Sequence, residues 1–190
     1  MTDSVVLFGG TFNPIHIGHL ISAINILEKT KYNKVLFVPV NIPTHKNFTD
    51  EPGKLHRYNM IKKALNRSNN LLYSDIELKR GGLSYTYDTV IELKKKYKEI
   101  AIVIGDDLVD GLATWKNIKY LSENHNFLCL TRYKETIKDS PYNIQYIHNK
   151  TIDISSTEIR DKIKKRQSIK YLVCESVEKY ILKNKLYLDK

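Results

Sequence analysis

The sequence predicts an α/β fold in which helices cover a doubly wound, open parallel sheet. Short apolar segments typical of buried strands recur along the 190 residues, and segments with helical periodicity follow most of them. This alternation is typical of βαβ units, and right-handed crossovers arrange such units into one parallel sheet. Ligands of such sheets bind beyond the carboxyl ends of the strands. We therefore expect the functional residues in the turns that follow the strands.

The predicted elements rest on local patterns of apolar residues. Strands are predicted at residues 5–8, 34–40, 71–78, 100–104, 126–130 and 144–147. Helices are predicted from about residue 18, at 55–66, 86–96 and 108–112, from Ser155, and at 176–183. A turn is expected at 80–82, and Ser84 or Thr86 is the expected cap of the helix that follows it.

Length and composition indicate one domain, residues 1–190. Apolar residues make up 42% of the chain and aromatic residues 10%, which argues against disorder. No apolar run reaches the ~18–20 residues of a membrane helix, so no membrane partner is expected. The first residues lack a signal-peptide pattern, and Cys129 and Cys174 are predicted to be buried free thiols. We therefore expect a cytoplasmic protein.

The net charge of +10 and the isoelectric point of about 9.4 have two interpretations. One is an electropositive surface for nucleotides or nucleic acid. The other is a lysine-rich composition spread over solvated helix faces, as at 94–96 and 162–165. We favour the second, because the lysines are not interleaved with aromatic residues as they are on a nucleic-acid platform. No nucleic-acid partner is expected, and the choice between a monomer and a homo-oligomer stays open.

The segment 9–20 combines a glycine turn, a helix start and two histidines. Two glycines end the first predicted strand, and glycines let backbone N–H groups approach a phosphate closely. A helix N-terminus adds about half a positive charge. His16 and His19, spaced as H-x-G-H, can donate to phosphoryl oxygens, and Thr11 and Asn13 add polar groups. A lone histidine is usually structural, but this arrangement predicts a nucleotide site.

Two later segments suit the same site, and each has a structural alternative. Asp107 follows Gly105 after a strong predicted strand, where a carboxylate can accept from a ribose diol or cap a turn. Ser155 begins a helix whose hydroxyls, free N–H groups and Arg160 suit a polyphosphate. The same serine also forms an acceptable capping box with Glu158.

Two further residues carry weaker local signals. Lys46 follows His45 in the predicted loop 41–52, which Pro39 and Pro43 punctuate, and there it would be a phosphate ligand or a surface lysine. Trp115, the one tryptophan, would offer a stacking face to a flat ring or pack in the core. The residues alone leave both alternatives open in each case.

Together these segments resemble the nucleotidyltransferase α/β-phosphodiesterase superfamily, and within it the bacterial nicotinate-nucleotide adenylyltransferases. The early H-x-G-H and the later S-[ST]-x-x-x-R pattern carry the superfamily resemblance. The resemblance covers nearly the whole chain and implies a Rossmann-like nucleotidyltransferase fold, with the helical part from about residue 155 completing an ATP site. The matching segments are 8–20, 38–46, 56–57, 84–89, 104–107, Trp115, 131–132 and 154–160.

The resemblance implies a role for each matching residue. The implied catalytic residues are His16, His19, Lys46 and Arg160. The implied ATP-binding residues are Gly9, Gly10, Thr11, Phe12, Gly18, Gly105, Asp107, Arg132, Ser155, Ser156 and Thr157. The implied nicotinate mononucleotide-binding residues are Asn13, His45, Tyr85, Thr86, Trp115 and Lys116.

The chain departs from the family pattern at four positions. Asn13 stands where aspartate is frequent, and Thr44 and Leu83 stand where proline is common. Lys116 stands where an aromatic residue is frequent. Because Leu83 and Lys116 flank the expected ring pocket, they leave the substrate preference open. A lysine there would favour an acidic ring substituent by charge.

The implied reaction is attack by the phosphate of nicotinate mononucleotide on the α-phosphorus of ATP, giving deamido-NAD and pyrophosphate in NAD biosynthesis. The nucleophile is already an anion, so the protein positions two anions and neutralises charge without a general base. Mg²⁺ is expected to arrive with the triphosphate, because no Asp/Glu cluster in the sequence suggests a dedicated metal site.

Other functions remain as alternatives at this stage. Nicotinamide mononucleotide and phosphopantetheine are the alternative acceptors, and Trp115 argues against phosphopantetheine, which has no flat ring to stack. A nucleic-acid-binding module is the alternative suggested by charge. A nucleotide sensor without catalysis is the third, and the intact histidine pair argues against it.

Overall fold

The computed structural model describes residues 4–44, 52–131, 137–148 and 152–188. The strands are β1 (Ser4–Gly10), β2 (Val35–Pro39), β3 (Leu71–Tyr73), β4 (Glu99–Gly105), β5 (Asn126–Thr131) and β6 (Ile144–His148). The helices are α1 (Ile17–Lys29), α2 (Lys54–Leu65), α3 (Ile76–Arg80), α4 (Thr86–Leu93), α5 (Ile118–Asn124), α6 (Ser156–Lys164) and α7 (Glu175–Lys183). A 3₁₀ helix covers Asp106–Thr114.

The strands form one six-stranded parallel sheet in the order β3-β2-β1-β4-β5-β6. The chain builds outward from β1 to β3 on one side, returns to β4 beside β1, and builds outward again to β6. The order therefore reverses between β1 and β4, where the loops beyond the carboxyl ends diverge and leave room for a ligand. This arrangement confirms the predicted open, doubly wound parallel sheet.

Each face of the sheet has its own core. Val6 and Phe8 of β1 face the layer formed by α1, α2, α6 and α7. Val5 and Leu7 face the layer formed by α4, α5 and the 3₁₀ helix. Because successive strand residues point to opposite faces and both faces are covered, the strand is apolar throughout rather than alternating. This explains why the apolar run of β1 was recognisable in the sequence.

The third predicted strand is wrong over most of its length. Residues 71–78 were expected to be extended, but β3 is only three residues long and α3 follows at Ile76. The Ser74 hydroxyl accepts from the Ile76 N–H at 3.3 Å, and the Asp75 carbonyl accepts from the Lys79 N–H at 2.9 Å. These local polar contacts favour a helix start over continued strand pairing. Helices α3 and α5 were not predicted, since each is too short to show a periodic pattern.

The predicted cap of α4 is also wrong. Tyr85, with an extended backbone, occupies the N-cap position, and no side chain caps the helix there. The Ser84 hydroxyl instead accepts from the backbone N–H of Asn41 at 2.8 Å. Ser84 therefore forms a hydrogen bond with the loop after β2 instead of capping α4.

The cysteine prediction holds fully for one residue. Both cysteines are free; Cys129 is buried, whereas Cys174 is only half-buried. Burial, with a smaller contribution from nearby aspartates, raises the pKa of the Cys129 thiol to about 12. This thiol therefore stays protonated.

Within the described part of the chain, no helix is both long and apolar enough to cross a membrane.

Candidate active site

The turn between β1 and α1 has a compact aromatic support. Phe12 adopts a left-handed backbone conformation, φ +49°, which costs a non-glycine residue about 1–2 kcal/mol. Its buried ring offsets this cost by packing against Phe37 at 5.4 Å and His19 at 5.0 Å between centroids. A Cβ added at Gly10 would lie 2.9 Å from the Phe12 ring. Glycine at this position therefore lets the turn fold back on the strand.

The two predicted histidines lie together at the start of α1. The rings of His16 and His19 are 3.7 Å apart between centroids, and the His16 backbone N–H donates to Nδ1 of His19 at 3.2 Å. A Cβ at Gly18 would come 3.0 Å from the His16 ring, so a larger residue would push the pair apart. Because Nδ1 of His19 accepts, the proton of its neutral ring resides on Nε2.

His19 is a neutral donor in the free protein. Burial, and secondly the neighbouring His16, lower the pKa of His19 well below 6.5. At neutral pH the ring therefore offers an N–H group rather than a fixed positive charge. A phosphate anion bound nearby would raise this pKa and favour the charged ring.

Acid is expected to destabilise the fold partly through His19. Since the folded-state pKa lies below 6.5, the unfolded chain binds this proton first as the pH falls through that value. The contribution of His19 to stability is therefore present above pH 6.5 and is lost progressively below it. The variant His19→Ala should lose less melting temperature than wild type between about pH 7.5 and 5.5. Thermal denaturation followed by circular dichroism measures this difference, and equal losses in the two proteins would contradict it.

The start of α6 reaches back to the same turn. The Ser155 hydroxyl accepts from the Glu158 N–H at 3.1 Å, which confirms the predicted cap. Arg160 donates to the backbone carbonyl of Asn13 at 2.8 Å, and Ser156 donates to the Pro14 carbonyl at 2.9 Å. The structure thus brings the late predicted segment against the early one.

Arg160 has a second contact within its own helix. Its guanidinium also donates to the Thr157 hydroxyl at 3.0 Å. Two of the predicted ATP-site residues on α6 are therefore linked to each other as well as to the turn. Arg160 is half-buried, and these contacts hold its guanidinium near the carboxyl end of β1.

Arg57 is a buried residue of the site for which sequence reasoning gave no role. Its guanidinium is fully buried and donates to the carbonyls of Thr11 at 3.0 Å and Val40 at 2.8 Å. It therefore ties the turn after β1 to the end of β2. The available signal was a charged residue in the buried stripe of α2, which continues through Met60 and Ile61.

Two of the predicted ATP-binding residues, Gly105 and Asp107, lie at or beyond the end of β4, which is next to β1 in the sheet. Gly105 ends β4, and Asp107 is exposed in the first turn of the 3₁₀ helix. A Cβ at Gly105 would lie 2.4 Å from a carboxylate oxygen of Asp107, so glycine permits this close approach. The carboxylate is therefore available at the sheet edge that carries the histidines.

The residues predicted to bind the nicotinate ring lie at the start of α4 and directly after the 3₁₀ helix. The Lys116 ammonium lies 5.0 Å from the centroid of the Tyr85 ring and pairs with the Asp88 carboxylate at 2.8 and 2.9 Å. Thr86 is the first residue of α4. Trp115 is half-buried and forms a T-shaped pair with Phe127, with 6.2 Å between the ring centroids. Trp115 therefore packs partly in the core, and Asp88 partly neutralises the charge of Lys116.

Three predicted residues, His45, Lys46 and Arg132, lie outside the described residues. A cavity of about 510 Å³ opens elsewhere, between β3 and the ends of α2 and α4. Its lining includes Leu36, Tyr73 and Lys96 and none of the predicted site residues. This cavity is therefore separate from the predicted site residues at the β1–β4 switch point.

A parallel sheet of this order, with a glycine turn and an H-x-G-H pair at its switch point, defines a Rossmann-like nucleotidyltransferase. The model of the cytidylyltransferase-like family matches residues 7–162. A relative from Borrelia garinii subsp. bavariensis, named "Probable nicotinate-nucleotide adenylyltransferase", is 40% identical over 189 residues, which cover 98% of this chain and 95% of the relative. A relative of the same name from Shouchella clausii is 39% identical, with 96% of each chain covered. The chain belongs to the cytidylyltransferase-like family, among its nicotinate-nucleotide adenylyltransferases.

Solved structures support the fold. The nicotinic acid mononucleotide adenylyltransferase of Plasmodium falciparum, complexed with NaAD, superposes with a TM-score of 0.76. Its sequence is 23% identical, and the superposition covers 97% of each chain. The two proteins therefore share their architecture from end to end.

Proposed function

We propose that this chain transfers the adenylyl group of ATP to nicotinate mononucleotide, giving deamido-NAD and pyrophosphate in NAD biosynthesis. The observation that carries the proposal is the convergence of His16, His19 and Arg160 on the turn after β1. The names of the curated relatives support the choice of substrate. The complex of the Plasmodium falciparum neighbour with NaAD supports it as well.

The chemistry requires the protein to position two anions. An oxygen of the nicotinate mononucleotide phosphate attacks the α-phosphorus of ATP, and the bond from that phosphorus to the pyrophosphate oxygen breaks in line. No proton has to leave the nucleophile, so neither histidine needs to act as a base. The Nε2–H of His19 would donate to oxygens whose negative charge shifts during transfer. Fixed donors are effective here because they need no reorientation as the charge moves.

The triphosphate would lie across the turn and the start of α6. The amides after Gly9 and Gly10 and the start of α1 would face one end of it, and Arg160, Ser155, Ser156 and Thr157 the other. The family pattern supports Lys46 as a further triphosphate ligand and Arg132 as an ATP-binding residue.

Nucleotidyltransferases generally use a divalent metal with ATP. We propose Mg²⁺ bound to the triphosphate itself, because phosphate oxygens are the hard ligands that Mg²⁺ prefers. In the ranges that the structure describes, no group of three or more His, Cys, Asp or Glu side chains is arranged as a metal site. When bound, the metal would neutralise part of the triphosphate charge. The basic side chains of the protein would neutralise the remaining charge.

The nicotinate ring would lie between α4 and the segment after the 3₁₀ helix. Tyr85 and Trp115 would contact its faces, and Asn13 and His45 would lie toward its phosphate. Backbone amides near Thr86 and Lys116 would receive the ring carboxylate. The pairing of Lys116 with Asp88 supports a carboxylate contact through the backbone rather than through the ammonium.

A cytoplasmic location is also proposed, since a free buried thiol such as Cys129 suits a reducing compartment.

Pyrophosphate release tests the proposed function directly. The protein is assayed with ATP and Mg²⁺ against nicotinate mononucleotide, nicotinamide mononucleotide and phosphopantetheine. We expect kcat/KM for nicotinate mononucleotide to exceed that for the amide by at least about tenfold, and no turnover with phosphopantetheine. His19→Ala protein prepared in parallel controls for contaminating enzymes. A preference for either alternative acceptor would refute the substrate assignment.

A further inference from the structure

We propose that Tyr187 is a positioning residue for the catalytic turn, acting through the side chain of Asn13. Its hydroxyl donates to Oδ1 of Asn13 at 2.7 Å, a contact between residues 174 positions apart in the chain. This inference rests on the proposed function of the turn. It adds a residue from the far C-terminus that would not touch substrate.

The contact adds to the hydrogen bonds that hold Asn13 and its neighbours in the turn after β1. The backbone carbonyl of Asn13 accepts from Arg160 at 2.8 Å, and that of Thr11 accepts from Arg57 at 3.0 Å. These bonds hold the main chain of the turn. Among the contacts described for Asn13, the Tyr187 hydroxyl is the one that holds the side-chain oxygen. The phenol therefore fixes the position of one polar atom of the Asn13 amide.

The backbone conformation of the segment after α7 positions the Tyr187 hydroxyl. Helix α7 ends at Lys183, after which Lys185 and Tyr187 both adopt left-handed backbone conformations, φ +50° and +65°. Between them Leu186 is buried, and its N–H donates to the Ile181 carbonyl at 3.1 Å. Non-glycine residues take this conformation only where surrounding contacts hold them. The buried leucine and the hydrogen bond to Asn13 supply those contacts.

The phenol is a dependable donor at the pH of the cell. Burial raises the pKa of Tyr187 above its usual range, although Arg160 and Arg57 lower it somewhat. The hydroxyl therefore keeps its proton, and the Asn13 oxygen can only accept. The same hydroxyl also lies 4.0 Å from the sulfur of Met60, and the much shorter distance to the Asn13 oxygen marks that oxygen as its main acceptor.

A displacement of Asn13 would also displace the histidine pair, because few residues separate them in the chain. Asn13 precedes His16 by three residues, and the intervening Pro14 and Ile15 are buried. A turn so short and packed transmits a shift of Asn13 to the histidine pair. Since small misplacements of reacting groups lower the rate strongly, Tyr187 should influence kcat more than substrate affinity.

The test uses Tyr187→Phe, which removes only the hydroxyl, and Tyr180→Phe as a matched control. Tyr180 lies on α7, and its hydroxyl contacts the side chains of His56 at 3.0 Å and Asn59 at 3.2 Å rather than that of Asn13. We expect Tyr187→Phe to lower kcat by about tenfold, with KM for ATP within about twofold of wild type. Tyr180→Phe should leave both within about twofold, since its hydrogen bonds serve only stability.

A double-mutant cycle separates action through Asn13 from general loosening of the tail. In an Asn13→Ala background, Tyr187→Phe should change kcat by less than about twofold, because the hydroxyl has lost its acceptor. Multiplicative effects of the two substitutions, or wild-type kcat in Tyr187→Phe, would overturn the proposal.

A readout without turnover keeps this inference separate from the proposed function. Wild-type protein that transfers no adenylyl group would refute the proposed function, and hydrogen–deuterium exchange would still decide the role of Tyr187. Uptake in the peptide covering residues 10–19 should rise in Tyr187→Phe and not in Tyr180→Phe. Unchanged uptake in Tyr187→Phe would show that the tail does not hold the turn.

Discussion

Replacing His19 with alanine is expected to lower kcat by about 10²–10³-fold, the usual cost of removing a fixed donor at the reacting group. The physical reason is the protonated Nε2, whose position is set by the hydrogen bond between the His16 N–H and Nδ1 of His19 at 3.2 Å. Alanine removes the donor and leaves the glycine turn in place. Steady-state pyrophosphate release with nicotinate mononucleotide measures the loss, and circular dichroism verifies the fold.

The matched control is His125→Ala. His125 is also buried with a lowered pKa, but it precedes β5 at the opposite edge of the sheet. Its Nδ1 lies 3.0 Å from the Ile100 carbonyl, a structural contact. We expect this variant to melt at a lower temperature with kcat within about twofold of wild type. Near-wild-type turnover in His19→Ala would refute the role assigned to His19.

Replacing Arg160 with alanine is expected to lower kcat/KM for ATP by about a hundredfold, in line with the loss of charge-assisted hydrogen bonds. Two effects add in this variant. The triphosphate loses a guanidinium, and the Asn13 carbonyl loses its donor at 2.8 Å. Arg160→Lys should recover only part of the loss, because an ammonium keeps the charge without the planar fork that also reaches Thr157.

Arg166→Ala is the control for charge alone. Arg166 is exposed, and it follows α6 directly after Lys165. Its loss changes the net charge of the protein by the same amount as Arg160→Ala and leaves the turn untouched. Initial rates over a range of ATP concentrations compare the variants. If Arg166→Ala lost as much kcat/KM as Arg160→Ala, the effect of Arg160 would be general electrostatics rather than a placed contact.

The features that the sequence predicted well are local ones. Strands β1 and β4 were recognisable because both faces of the sheet are covered, which makes each strand apolar throughout. The H-x-G-H spacing placed His16 and His19 together because three residues span less than one turn of a helix. The Ser155 cap follows from the same short range. Where the local signal was short or mixed, as at residues 71–78, the prediction was wrong.

The sequence by itself therefore determined the class of fold, and it predicted the turn and the residues to which we assign the chemistry. Only the tertiary structure decided what holds that turn in shape. The partners of Asn13 lie 147 positions away at Arg160 and 174 away at Tyr187, and Arg57 approaches Thr11 across 46 positions. Such contacts have no period and no spacing in the sequence. They exist because a parallel sheet brings the carboxyl ends of distant strands, and the helices packed beside them, to one edge.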